Sequence, residues 1–213
     1  MIKTKYSDQV FINCPFDEEF SEIFRAFCFT ILDCGFIPRC SLEIDNASQF
    51  RLKSIIDMIK ECKYGIHDLS RIETDKKSKL PRFNMPFELG IFYSAREFGD
   101  GQQKNKQCIV TEKDKYRYQK FISDISGMDI TAHGCSVKKA THKIRNWLLT
   151  ASRRNSVPPA NKIYSRYCKF EKDIKVICKK NKINYKEMPF IELVKNMTDW
   201  LKINQISNQP LFS

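Results

Sequence analysis

The sequence predicts an α/β fold, in which a buried parallel sheet is covered by helices. Short apolar runs rich in Val, Ile and Phe alternate with longer segments whose apolar residues recur every three or four positions, up to about residue 151. Strands that alternate with helices pair in parallel through right-handed crossovers. Polar side chains follow the apolar runs, so the loops at the carboxyl ends of the strands are expected to carry the functional groups.

Five apolar runs are the predicted strands, and Pro38 places the second of them at an edge of the sheet. Gly35 is expected to close the first helix. Five such units predict a flavodoxin-like, doubly wound sheet. The predicted strands are residues 10–14, 36–42, 64–69, 107–111 and 128–131, and the predicted helices are residues 17–34, 49–61, 84–95, 116–125 and 136–151.

The charge divides the chain into two parts. The net charge of the 213 residues is +12, and residues 151–213 contain 13 Lys and Arg against 5 Asp and Glu. Ser and Pro near residues 151–161 indicate a linker. We therefore expect an α/β domain over residues 1–154 and a basic helical appendage over residues 155–213. The appendage is interpreted either as an adaptor for nucleic acid or another subunit, or as a helical hairpin packed on the first domain, and packing with some partner contact is favoured.

Several classes of protein are disfavoured by composition. No apolar run approaches the roughly 20 residues of a membrane helix, and the N-terminus lacks the apolar core of a signal peptide. The nine cysteines are odd in number and never show C-x-x-C spacing, so neither a disulfide framework nor a metal site is predicted. They are typical of reduced thiols, which indicates a cytoplasmic protein. Neither a P-loop, a G-x-G-x-x-G dinucleotide motif nor a G-x-S-x-G motif is present.

The stretch around Glu88 carries the strongest functional signal. Asn84 is suited to cap a helix, Pro86 fits its first turn, and Glu88 is expected in that same turn at the head of an apolar stripe. The apolar residues on the other stripe predict a helix buried on most sides. The positive end of the helix dipole would favour the ionised carboxylate, which suits a group that faces a developing positive charge. The alternative is that Glu88 only completes the helix cap.

Other polar residues are expected near Glu88 at the carboxyl ends of the strands. Asp68 either reaches this cleft or caps the next turn, whereas His67 is interpreted as a packed core histidine. Cys14 is interpreted as a structural or pocket-wall residue. Arg39 and Arg71 are suited to phosphate, although solvated arginines would need no explanation. The candidate set comprises Asn13, Cys14, Pro15, Arg39, Glu43, Asp68, Ser70, Arg71, Phe83, Asn84 and Glu88, with His133 at its margin.

Three segments resemble a known family. They are 10–17 (VFINCPFD), 67–71 (HDLSR) and, chiefly, 83–90 (FNMPFELG). The sequence resembles bacterial TIR-like and nucleoside 2-deoxyribosyltransferase-like proteins, several of which are effectors of anti-phage defence. The resemblance spans about residues 10–150. The glycine-rich run that often precedes the transferase glutamate is replaced here by residues 82–85.

The resemblance implies cleavage or transfer at an N-glycosidic bond of NAD or of a nucleoside, with Glu88 in the place of the catalytic glutamate. It implies a nucleotide as substrate, no separate cofactor, and a homo-oligomer or partner protein. Asp68 is the expected second carboxylate, Asn13 and Asn84 would hold sugar hydroxyls, and Phe83 would stack on a base. Two alternatives stay open, a catalytically silent nucleotide-binding sensor and a nucleic-acid-associated module that acts through its basic tail.

Overall fold

The computed structural model describes residues 5–44, 50–71, 82–125, 127 and 130–206. Its five strands form one sheet with the order β2-β1-β3-β4-β5, and every neighbouring pair is parallel. This confirms the predicted flavodoxin-like α/β fold with a C-terminal helical part. The strands are β1 (Gln9–Asn13), β2 (Ile37–Cys40), β3 (Tyr64–Asp68), β4 (Gln107–Glu112) and β5 (Thr131–Ala132).

Helices cover both faces of the sheet because the inner strands alternate their side chains between two apolar layers. Val10 and Ile12 of β1 point into the cluster formed with α1 and α4, whereas Phe11 points into the cluster formed with α2 and α3. All five residues of β1 are buried, as expected for a central strand. The helices are α1 (Ser21–Asp33), α2 (Arg51–Glu61), α3 (Asn84–Phe98), α4 (Val137–Ser152), α5 (Ala160–Lys180) and α6 (Phe190–Ile206).

Most predicted elements are confirmed, but two details of the first helix are instructive. Asp17 does cap a turn, because its Oδ1 accepts the Phe20 N–H at 3.0 Å, yet the α-helix itself begins only at Ser21. Gly35 ends the helix in the left-handed region at φ 79°, where its N–H donates to the Leu32 carbonyl. A side chain at this position would be strained, which is why glycine closes the helix.

The predicted helix over residues 116–125 is wrong. Tyr116 has φ 61°, and the following residues form two short 3₁₀ segments, Arg117–Lys120 and Ser123–Ile125. A left-handed tyrosine at the start prevents a continuous α-helix. The fifth strand, predicted over residues 128–131, is observed as Thr131–Ala132. Ile130 is described and lies outside the strand, and residues 128 and 129 are outside the described part of the chain.

The helix that carries Glu88 also differs from its prediction. Asn84 is the first helical residue and Phe83 occupies the N-cap position, without any side-chain cap. Glu88 therefore lies one residue further into the helix than expected, just beyond the first turn, and no cap hydrogen bond of its side chain is seen among the described residues. Only Met85, Leu89 and Phe92 are buried, so the helix is covered on one side rather than on most sides.

The appendage packs against α1, as the favoured interpretation expects. The Phe29 ring lies 5.5 Å from Phe170 and 5.8 Å from Trp200, and Arg166 pairs with the buried Asp33 carboxylate. At its other end, Phe190 lies 5.9 Å from Phe24, which in turn contacts Phe16. Helices α5 and α6 thereby belong to the same hydrophobic core as the sheet. Cys178, rather than the half-exposed Ile177, completes the buried stripe of α5.

Across the residues described by the structure, we find no helix with the length and apolar character needed to cross a bilayer.

Candidate functional site

A cavity of about 870 Å³ opens beyond the carboxyl end of β1. It lies between the first turns of α2 and α3, beside the point where the strand order reverses from β1–β2 to β1–β3. Open parallel sheets bind ligands at this position. The cavity is lined by Asn13, Cys14, Pro15, Phe16, Asp17, Ser41, Phe50, Arg51, Leu52, Ile55, Arg82, Asn84, Met85, Phe87 and Glu88.

Glu88 is a half-buried acid that lines this cavity, as does Asp17. The Glu88 carboxyl group has no hydrogen bond or ion pair with any residue that the structure describes. Burial raises its pKa to about 7, and the positive charge of Arg51 only partly opposes this effect. The expectation that the helix dipole keeps the acid ionised is therefore not supported, because Glu88 lies beyond the first turn and desolvation dominates.

Three further predicted residues come from the end of β1. Asn13 and Cys14 are buried and Pro15 follows them, and all three line the cavity. Burial raises the pKa of the Cys14 thiol well above its usual range. A thiol held neutral is a poor nucleophile, which agrees with its interpretation as a pocket wall.

The predicted arginines do not line the cavity. Arg39 donates to Glu43 at 2.7 Å and to Glu61 at 3.1 Å, on the outer edge of the sheet. Arg71 pairs with Asp17 and Glu19. Both guanidinium groups are thus engaged in ion pairs that the sequence did not show.

Two arginines missed by the sequence reasoning line the cavity instead. Arg82 lies 3.7 Å from Asp17 Oδ2. Arg51, the first residue of α2, contacts Ser41 Oγ at 3.3 Å, and no carboxylate of the described residues lies within ion-pair distance of it. The only available signal for Arg51 was its place at the start of a helix that follows the edge strand.

Asp68 and Ser70 form a separate, buried cluster. Asp68 Oδ1 accepts the Ser70 N–H at 2.9 Å, and Oδ2 accepts from Thr111 Oγ1 at 2.6 Å and from His133 Nε2 at 2.9 Å. His133 Nδ1 accepts the Cys135 N–H at 3.0 Å, so its proton is on Nε2. Ser70 Oγ lies 3.2 Å from that same nitrogen. Asp68 therefore caps a turn, as the second interpretation expected, and does not line the cavity.

The aromatic residues also differ from the expectation. Phe83 is 67% exposed and does not line the cavity, whereas Phe87, Phe50 and Phe16 do. Phe87 and Phe50 are more than half exposed, which leaves their rings free to stack on a planar ligand. Asn84 lines the cavity as predicted.

Metal binding has no support in the described ranges, where no cluster of His, Cys, Asp and Glu has a suitable arrangement. All nine cysteines are free thiols.

Comparisons with family models, with curated proteins and with solved structures give no match.

Proposed function

We propose that this protein cleaves or transfers at an N-glycosidic bond of a nucleotide, with Glu88 as the catalytic residue. The observation that carries the proposal is a carboxyl group that no described residue pairs with, in a cavity at the reversal of strand order. The transition state of such a reaction resembles an oxocarbenium ion, and a fixed carboxylate stabilises its positive charge or attacks the anomeric carbon. The resemblance of residues 83–90 to the glutamate segment of TIR-like and deoxyribosyltransferase-like enzymes supports the same role.

The separation of Asp68 from the cavity favours NAD over nucleosides such as adenosine. Adenine needs a proton as it leaves, and Asp68, the expected second carboxylate, is fully engaged elsewhere. Asp17, the other acid that lines the cavity, is paired with Arg71 and Arg82. The nicotinamide ring of NAD carries a positive charge while it is bonded to the ribose, so it leaves as a neutral base and needs little help from an acid. Its positive charge would also lower the pKa of Glu88 on binding and so supply the ionised form. Arg51 is the group best placed to pair with a phosphate.

Release of base from NAD and from nucleosides tests this proposal. We expect nicotinamide release from NAD, with a kcat/KM that rises with pH through about 7 and then levels off, because this parameter reports the ionisation of Glu88 in the free enzyme. Glu88→Gln should lower kcat by about 100-fold or more. Glu97→Gln is the matched control, since Glu97 lies on the same helix, pairs with Arg96 and does not line the cavity.

Three outcomes would contradict the proposal in different ways. Release at the original rate by the Glu88→Gln variant would remove Glu88 from the mechanism. A rate that falls above pH 7 would indicate that Glu88 acts as a general acid, which would favour a leaving group that must be protonated. Binding of nucleotide without any release of base would favour the silent sensor.

The wider setting follows from the resemblance, from the cysteines and from the charge of the appendage, and it stays a prediction. It comprises a role in anti-phage defence, a cytoplasmic location, assembly with copies of itself or another protein, and contact between the basic appendage and nucleic acid. The free thiols agree with a reducing compartment.

A further inference from the structure

His67 is a buried histidine that the proposed chemistry does not use. It is fully buried on β3, and its ring lies 5.0 Å from Phe92 and 6.0 Å from Phe11. Burial, together with the charge of Lys106, lowers its pKa to about 3, so the imidazole is neutral at physiological pH. Its Nε2 atom has no hydrogen-bond partner among the residues that the structure describes. An aromatic hydrocarbon ring would fill this position without leaving a buried polar atom unpaired.

The other ring nitrogen has a specific contact. His67 Nδ1 lies 3.0 Å from Asn13 Nδ2, and the same amide nitrogen donates to the Met85 carbonyl at 2.8 Å. Since an amide nitrogen has two hydrogens and no lone pair to offer, His67 Nδ1 is the acceptor and the ring proton is on Nε2. Both N–H groups of Asn13 are therefore used, and the two acceptors fix the orientation of the amide.

This orientation leaves the Asn13 carbonyl oxygen for the cavity. Asn13 is 97% buried, since its exposed fraction is 3%, and it is one of the residues that line the cavity. Its Oδ1 has no partner among the described residues, and because Asn13 lines the cavity, this oxygen is the acceptor that it can offer to a ligand. Glu88 lines the same cavity. The two side chains together present hydrogen-bond acceptors to the ligand.

We propose that His67 is a positioning residue that holds Asn13 Oδ1 ready to accept a hydrogen bond from the 2′-hydroxyl of a ribosyl ligand. The choice of this hydroxyl rests on the proposed function. If Glu88 faces the anomeric carbon, the nearest donor on the sugar is on the adjacent carbon. The site then prefers ribosyl over 2′-deoxyribosyl compounds, because the deoxy compound leaves a desolvated carbonyl oxygen unpaired.

The strand that carries His67 is adapted to this arrangement. A Cβ atom on Gly65 would lie 2.7 Å from His67 Nε2 and 2.9 Å from the Phe92 ring. The imidazole and Phe92 thus occupy the space that a side chain at residue 65 would need. The ring is held in one position, so its Nδ1 atom is a fixed acceptor for the Asn13 amide.

Two variants separate positioning from packing. His67→Phe keeps an aromatic ring but removes the acceptor, whereas His67→Asn places an acceptor near the position of Nδ1 but removes the ring. The probes are AMP and 2′-deoxy-AMP, with binding measured by titration calorimetry. We expect the unmodified protein to bind AMP about tenfold more tightly, the value of roughly one neutral hydrogen bond.

The proposal predicts that His67→Phe reduces this preference to about twofold or less while thermal unfolding shows a folded protein. His67→Asn should unfold at a lower temperature but keep most of the preference for AMP. Asn13→Leu should lose the preference altogether. A His67→Phe variant that retains the full preference, or an unmodified protein that binds neither nucleotide or both equally, would overturn it.

The same experiment distinguishes this inference from the proposed function. A preference for AMP that depends on His67, without release of base from any substrate, would refute the catalytic role and leave the sugar subsite standing. Release of base from ribosyl and 2′-deoxyribosyl substrates at equal efficiency would refute the sugar subsite and leave the catalytic role standing.

Discussion

Two acidic side chains near the same edge of the sheet have opposite environments. Asp68 is fully buried and accepts hydrogen bonds from a backbone N–H, a hydroxyl and an imidazole. Glu88 is half-buried, and its carboxyl group has no partner in the part of the chain that the structure describes. The difference shows that an acid at the end of a strand is not for that reason a reactive acid. A carboxylate whose lone pairs are all engaged stabilises the fold, while one left without partners is available to a ligand.

The largest effect is expected at Asp68. Asp68→Ala would leave three buried donors without an acceptor, so we expect it to lower the free energy of unfolding by about 3 kcal/mol. Urea unfolding at pH 7 measures this change. Asp199→Ala is a suitable control, because Asp199 is half exposed in a 3.4 Å pair with Lys202 and should cost less than about 0.5 kcal/mol. An equally small loss at both positions would mean that the buried cluster is not structural.

Substitution of Glu88 should raise the free energy of unfolding, whereas substitution of Asp68 should lower it. The pKa of Glu88 in the fold is about 7, above the usual 4.5, so the folded protein binds more protons than the unfolded chain between these values. Stability therefore falls as pH rises from about 4.5 to about 7 and then levels off. Glu88→Gln removes this penalty, so it should stabilise the protein by roughly 2 kcal/mol at pH 8 and by little at pH 4.5.

Urea unfolding of the Glu88→Gln variant at several pH values tests this prediction. Glu97→Gln again provides the control, since Glu97 pairs with Arg96 at the surface. A gain that is independent of pH, or a loss at pH 8, would show that Glu88 is ionised and satisfied in the fold. The comparison with Asp68 would then fail.

The smallest effect concerns Arg51. Among the described residues, this guanidinium group is the charge that opposes the effect of burial on the Glu88 pKa. Arg51→Gln should raise the Glu88 pKa further, by less than about one pH unit, because the pair is near solvent. An NMR titration of the Glu88 side chain measures the shift. Arg39→Gln is the control and should leave the Glu88 pKa unchanged. A Glu88 pKa that falls in Arg51→Gln would show that Arg51 does not face the acid.

The sequence allowed the fold to be predicted well because its signals are local. Apolar runs such as residues 10–14 and 64–69 form buried strands wherever the sheet is placed, and Gly35 ends α1 through its own backbone freedom. The prediction of a helix at residues 116–125 was wrong because Tyr116 adopts a left-handed conformation, which is not expected for a tyrosine.

The site could be predicted only in part, because it depends on contacts between distant segments. Asn13, Cys14, Pro15, Asn84 and Glu88 follow from the rule that ligands bind at the carboxyl ends of parallel strands. The partners of Arg39, Arg71 and Asp68 come from other elements, and nothing in the local sequence specifies them. Helix periodicity likewise could not show whether α3 is covered on one side or on most sides.

The ring contacts from Phe190 through Phe24 to Phe16 have a consequence for how this chain can be divided. The net positive charge becomes denser near residue 154, but the apolar interior continues across that point without interruption. Phe16 forms part of the wall of the cavity, so a shortened protein that ended after α4 would leave the aromatic support behind that wall facing water. Helices α5 and α6 thus support the wall of the pocket as well as forming a positively charged exterior.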